Sequence, residues 1–165
     1  MQSSEKYSFK NLELWKAAQL LAIDVCRAVD SFPNRRSADI VGRQLIRSIT
    51  SVPANIAEGH GRFSLAAYRN HLSIAKGSAT ESQGWVDLLV HPGHLTEVDG
   101  RELERRCDAM VASLTRRIVA LERQEAEVGK SKRIREDGPD YSLDEEEVLR
   151  FPGSKVPNAP EEQEL

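Results

Sequence analysis

Apolar residues recur along most of this chain at intervals of three and four, and polar residues fill the positions between them. That period collects apolar side chains on one face of a helix. Leu12, Trp15, Ala18, Ala22, Val25 and Val29 form the first stripe and predict a helix over about 11–31, with Asn11 as its N-cap. Pro33 ends it, because the residue before a proline is pushed out of the helical region. Ala38, Val41, Leu45, Ile49, Val52 and Ile56 predict a second helix from about Ser37 to Glu58, stopped by Gly59 and Gly61. Leu65, Tyr68, Leu72, Ala75, Ala79, Val86 and Leu89 predict a third over about 64–90, capped by Ser64 and ended by His91-Pro92-Gly93. Leu103, Cys107, Met110, Leu114, Ile118 and Leu121 are spaced 4, 3, 4, 4 and 3 and predict a fourth over about 99–125, capped by Asp99 or Thr96. Four stripes joined by short loops predict an all-α fold, an antiparallel up-down-up-down four-helix bundle over 9–128, after a flexible N-terminus at 1–8.

Pro53 falls inside the second stripe. A mid-helix proline costs about 3 kcal/mol and removes a backbone hydrogen bond. The second helix is therefore either bent or broken there, and the unbroken phase of the stripe favours a bend.

The pattern fails after the fourth stripe. Lys130 to Arg135 is a basic cluster, and residues 136–165 then carry 10 acids against two bases, with four prolines. Such a segment buries too little apolar surface to offset its ordering entropy. Residues 129–165 are thus predicted as a basic cluster followed by an acidic, mostly disordered tail. One motif interrupts it: Tyr141-Ser-Leu-Asp-Glu-Glu-Glu-Val-Leu-Arg-Phe151, in which Ser142 could cap a short helix. Its Tyr141, Val148, Leu149 and Phe151 are candidate anchors for docking on a partner, with a solvated tail as the plainer alternative and the body's own arginines as a third.

Charge divides in the same way. Residues 1–125 hold 17 basic and 15 acidic side chains, while 126–165 hold 6 and 11. Thirteen of the 17 cations in the body are Arg, the better residue for bidentate contact with phosphate or carboxylate. Arg36, Arg43 and Arg47 share one face of the second helix, Arg35 and Arg62 flank its ends, and Arg69 and Lys76 share a face of the third. These seven form a candidate footprint for nucleic-acid backbone, and solvated helix faces are the plainer alternative. Aromatics are only 5% of the chain, so contact would be directed to phosphates and sensitive to salt rather than built on base stacking.

A second stripe lies beside the apolar one in the second helix. Gln44, Ser48, Ser51, Asn55 and Glu58 are spaced 4, 3, 4 and 3, and the third helix offers Gly77, Ser78, Glu81 and Ser82 opposite. Small hydrogen-bonding residues beside a core stripe point to a structural polar network that sets helix register or subunit contacts. Catalysis finds less support. A di-metal bundle needs paired Glu-x-x-His motifs, and Glu58 precedes His60 by two residues, not three. No nucleophile–His signature or phosphate-cradling loop occurs, so no enzyme, metal or cofactor is expected. Cys26 and Cys107 both fall in helical apolar patterns and suit buried thiols in a reducing cytosol. The polar N-terminus and the absence of any long apolar run predict a cytoplasmic protein outside the membrane.

Phe9-Lys-Asn-Leu-Glu-Leu-Trp-Lys-Ala-Ala, Phe32-Pro33, Gln44-Leu-Ile-Arg47-Ser48, Ser51-Val-Pro-Ala-Asn-Ile-Ala-Glu-Gly59, Gly61-Arg62, Ile74-Ala-Lys-Gly-Ser78 and Glu81 occur in that order. In these motifs residues 7–124 resemble the four-helix bundle proteins encoded in intervening sequences of the large-subunit ribosomal RNA gene. Accessory proteins of diversity-generating retroelements are similar. The resemblance implies a ring-like homopentamer without catalytic residues, with RNA or DNA as partner and, in the retroelement branch, a reverse transcriptase. The chain departs from the pattern at His94, where the family usually has an aromatic, and in its acidic tail.

Overall fold

The computed structural model describes residues 8–136, with side chains through 128. Four helices make up nearly all of it: α1 (Glu13–Asp30), α2 (Arg36–His60), α3 (Leu65–Val90) and α4 (Glu97–Glu136). Among the described residues there is no strand, and no helix is long and apolar enough to cross a membrane.

The predicted stripes form the core. Ala18, Leu21 and Val25 of α1 meet Leu45, Ile49, Val52 and Ile56 of α2, Leu72, Ala75, Val86 and Leu89 of α3, and Cys107, Leu114 and Leu121 of α4 in one buried cluster. Contacts between helices give their directions. Ser48 meets Ser82 and Ser51 meets Ser78, so α2 and α3 run antiparallel. Arg69 bonds Glu125 while Gln83 bonds Asp108, so α3 and α4 do too. Asp24 pairs with Arg106, which joins α1 to α4.

Where each helix starts depends on local chemistry. Ser64 caps α3 by accepting from the Ala67 amide at 3.2 Å. Thr96, rather than Asp99, caps α4. Its Oγ1 accepts from the Asp99 amide at 3.1 Å and donates to the Asp99 carboxylate at 2.6 Å, a reciprocal arrangement akin to a capping box. The expectation for Asn11 is corrected. Asn11 closes a 3-10 turn, Phe9–Asn11, whose own cap is Ser8, and Leu12 precedes α1 without a side-chain cap. Packing sets this entry instead: the Phe9 and Trp15 rings meet edge to face with centroids 5.1 Å apart.

Helix α2 is a single element through Pro53, which is buried, so the broken alternative is excluded. Its stop is also revised. Gly59 lies inside the helix, and a Cβ there would come 2.7 Å from His71 Cβ and 2.8 Å from Tyr68 Cδ2. The glycine lets α2 and α3 approach closely, and Gly61 follows the helix as its C-cap. After α3 the chain turns at Gly93, whose φ of +70° favours glycine. The His94 and Leu95 amides there both donate to the Leu89 carbonyl.

Helix α4 runs to Glu136, beyond the predicted end near Glu125. Glu, Ala, Lys and Arg extend a helix by propensity without an apolar stripe to mark it. The tail residues Tyr141, Val148, Leu149 and Phe151 lie outside the described residues.

Candidate nucleic-acid interface

The polar seam between α2 and α3 is continuous over most of its predicted length. Ser48 Oγ lies 2.7 Å from Ser82 Oγ, and both groups are buried. Ser82 also donates to the Ser78 carbonyl at 2.9 Å. One turn along, Ser78 donates to Ser51 Oγ at 3.0 Å, and Asn55 Nδ2 donates to the same oxygen at 3.0 Å and to the Ser51 carbonyl at 2.9 Å. Asn55 Oδ1 faces His71 Nδ1 at 3.4 Å. Arg62 then closes the chain. Its Nε donates to His71 Nε2 at 3.1 Å while its Nη2 bonds the Glu58 carboxylate.

Two predicted members lie apart from this network. Gln44 is half-buried without a side-chain hydrogen bond among the described residues, and Glu81 accepts instead from Trp85 Nε1 at 3.1 Å. One residue absent from the prediction joins it, His71. Its position seven before Ser78 and eleven before Ser82 puts it on the same face of α3. The Arg62 bond makes Nε2 an acceptor, which leaves the ring proton on Nδ1, facing Asn55.

The seven candidate phosphate contacts divide by their partners. Arg43 is paired with Asp39 at 3.0 Å, which holds the Arg43 guanidinium above its ordinary pKa through the hydrogen bond and the Asp39 charge. Arg62 is engaged in the seam. Arg69 bonds Glu125 at 2.6 Å with Glu122 at 4.0 Å, which ties α3 to α4 rather than facing a ligand. Lys76, two turns on, shares that side of α3 and is half-buried. Arg35, Arg36 and Arg47 are exposed, and none of them pairs with a carboxylate among the described residues. Arg35 is the N-cap of α2 and Arg36 its first residue. The first amides of a helix carry partial positive charge, so the two arginines add to a field already positive. Exposed Ile40 lies between Arg36 and Arg43 on the same outer face.

A further feature had no marker in any single helix. A groove of about 460 Å³ lies between α1 and α4, with Leu14, Ala17, Leu21, Ala109 and Met110 lining it and Arg106, Arg116 and Arg117 around it. Among the described residues no group of three or more His, Cys, Asp or Glu side chains could hold a metal ion. Cys107 is buried in the core, and burial pushes its thiol up to about 11.

Residues 10–116 match the family model described as 23S rRNA-intervening sequence protein. The chain belongs to that family. The matched span runs from the 3-10 turn to the groove side of α4 and takes in the whole α2–α3 seam. Among solved structures, the chain is similar to a protein with unknown function from the S23 ribosomal protein family of Bacteroides thetaiotaomicron VPI-5482. The two are 24% identical with a TM-score of 0.60, over 64% of this chain and 97% of the other. At that identity the likeness shows a shared fold. No curated protein matches the chain. His94 is buried, and its Nε2 lies 2.8 Å from Ser37 Oγ, which pins the third loop to the first turn of α2.

Proposed function

We propose that this 23S rRNA-intervening sequence family member is a non-enzymatic, homo-oligomeric binding protein whose α2 arginine face contacts nucleic-acid backbone. One observation carries the reading: Arg35, Arg36 and Arg47 stand exposed on α2 without a carboxylate partner among the described residues, two of them at the positive end of the helix. A folded protein that keeps cations there gives up a few tenths of a kcal/mol of dipole stabilisation at each. A bound phosphate reverses that sign and fits planar guanidinium donors. The family's tie to an intervening sequence of 23S rRNA makes RNA the first ligand to try.

The non-enzymatic part rests on how the polar groups are used. The serines, Asn55 and His71 of the seam are already bonded to one another, which leaves them as register-setting contacts rather than free nucleophiles or bases. Self-assembly is supported by the outer face of α3, where Ile74 and Leu88 are about half exposed. Gly77 and Gly84 lie between them on that face and have nothing within 4 Å of a would-be Cβ. Copies in a closed ring would multiply a weak arginine patch into an effective one.

Filter retention of labelled RNA and duplex DNA of mixed sequence tests the binding. Retention of both at low salt, with little preference for sequence, is expected, and no retention of either rejects it. Light-scattering mass tests the assembly: a multiple of the chain mass of 18.5 kDa is expected, and a monomer rejects it.

A further inference from the structure

We infer that the groove between α1 and α4 binds a free straight-chain fatty acid, with its carboxylate at Arg116 and Arg117 and its alkyl chain along the groove. This inference does not depend on the nucleic-acid reading, since it uses other arginines on other helices. The groove's size of about 460 Å³ falls within the range of about 300–1,000 Å³ that holds compact ligands. Leu14, Leu21 and Met110 give it an apolar floor, and Ala17, Ala109 and Ser113 are small side chains that leave it open. Its two ends differ in charge. At one end Asp24 neutralises Arg106 at 2.9 Å, and Leu21 lies one turn from that pair. About three turns further along α4, Arg116 and Arg117 are exposed and have no carboxylate partner among the described residues. Arg116 donates to the Ser113 hydroxyl at 2.9 Å, and Arg117 lies over the Tyr68 ring at 5.7 Å, so both charges stay uncompensated. Glu13, the one carboxylate lining the groove among the described residues, is itself paired with Lys16.

An apolar floor that is neutral at one end and cationic at the other selects a ligand with a head and a tail. A carboxylate head accepts charge-assisted, bidentate hydrogen bonds from guanidinium groups, which a cationic head cannot do. The alkyl chain, running toward Leu21, removes apolar groove surface from water, and each fully buried methylene is worth roughly fourfold in affinity. An acidic peptide helix fits less well, because its carboxylates would be spread along its length and would reach the neutral end. Arg106 and Arg117 are roughly 16 Å apart along α4, which suits a chain of medium length such as decanoate.

Nuclear magnetic resonance of the full-length protein, with isotope-labelled methionine methyl groups, tests this. Met110 lines the groove and Met1 is the other methionine, so one signal reports the site. Decanoate below its micelle concentration should shift the Met110 signal in a saturable way. Octanoate, two methylenes shorter, should bind at least about fourfold more weakly. Decyltrimethylammonium, with the same chain and the opposite charge, should leave the signal in place. Arg116→Gln with Arg117→Gln should weaken decanoate binding at least about tenfold. Ala109→Leu, which fills the groove from an exposed position, should block binding with the melting temperature unchanged. No saturable shift with decanoate overturns the inference. So does an equal response to both amphiphiles, or a decanoate response that neither variant changes, because binding would then be unspecific or elsewhere. Phosphatidylglycerol vesicles should not retain the protein; retention that the arginine variant loses would assign the groove to a membrane surface and overturn the inference too.

Discussion

Ser48 and Ser82 meet hydroxyl to hydroxyl at 2.7 Å in the buried seam between α2 and α3. Each also reaches a carbonyl of its own helix, Leu45 at 3.1 Å for Ser48 and Ser78 at 2.9 Å for Ser82. Removing either hydroxyl therefore leaves the other with an acceptor. Ser48→Ala or Ser82→Ala should each cost only about 1 kcal/mol, and the double variant should cost less than the sum. Urea denaturation of the four proteins measures the coupling. Strict additivity would mean that the two hydroxyls do not interact.

The glycines of α2 and α3 should behave in opposite ways. Gly59→Ala puts a methyl group into His71 and Tyr68, so the helices must separate. A loss of about 1–3 kcal/mol is expected, as for other overpacked sites. At Gly77 and Gly84 a methyl group meets nothing within 4 Å. Alanine there should stabilise the isolated fold by about 0.5–1 kcal/mol through helix propensity. The same two substitutions should weaken self-assembly if the outer face of α3 is the contact. Melting temperature and light-scattering mass, measured together, separate the two effects.

The two thiols should differ in reactivity. Cys26 is half-buried, whereas Cys107 is fully enclosed with its thiol raised to about 11 by burial. A thiol reagent at pH 8 should modify Cys26 in the native protein and reach Cys107 only on unfolding. The unfolded chain releases this proton near pH 8.5 while the folded chain holds it to about 11. Stability from this group should therefore be constant below about pH 8 and fall as pH rises from about 8.5 toward 11. Equal rates for both thiols in the native state would contradict the enclosure of Cys107.

Much of this architecture is legible in the sequence, because a 3.6-residue period needs only the chain itself to be seen. Spacing alone puts Leu45, Ile49, Val52 and Ile56 on one face, and all four are fully buried. The polar seam was legible for the same reason, as Ser48, Ser51 and Asn55 follow the same period. Features that depend on a contact between helices were not. His71 reads as an isolated histidine until Asn55 and Arg62 are brought beside it. Gly59 reads as a stop signal until Tyr68 and His71 press on it. Arg69 looks like a free cation until Glu125 is placed against it. The α1–α4 groove is built from residues about ninety apart in sequence, so no local pattern announces it. The extension of α4 past Glu125 has no marker in the sequence, because the apolar stripe ends at Leu121.

The central claim is that α2 presents its unpaired arginines to phosphate. Its most direct test is the salt dependence of RNA affinity, measured by fluorescence anisotropy for the unmodified protein and for Arg36→Ala with Arg47→Ala. The account predicts a linear fall of log affinity with log salt, with a slope shallower by about 1.4 for single strands in the double variant, because each lost phosphate contact removes about 0.7. An unchanged slope and affinity in that variant would contradict it.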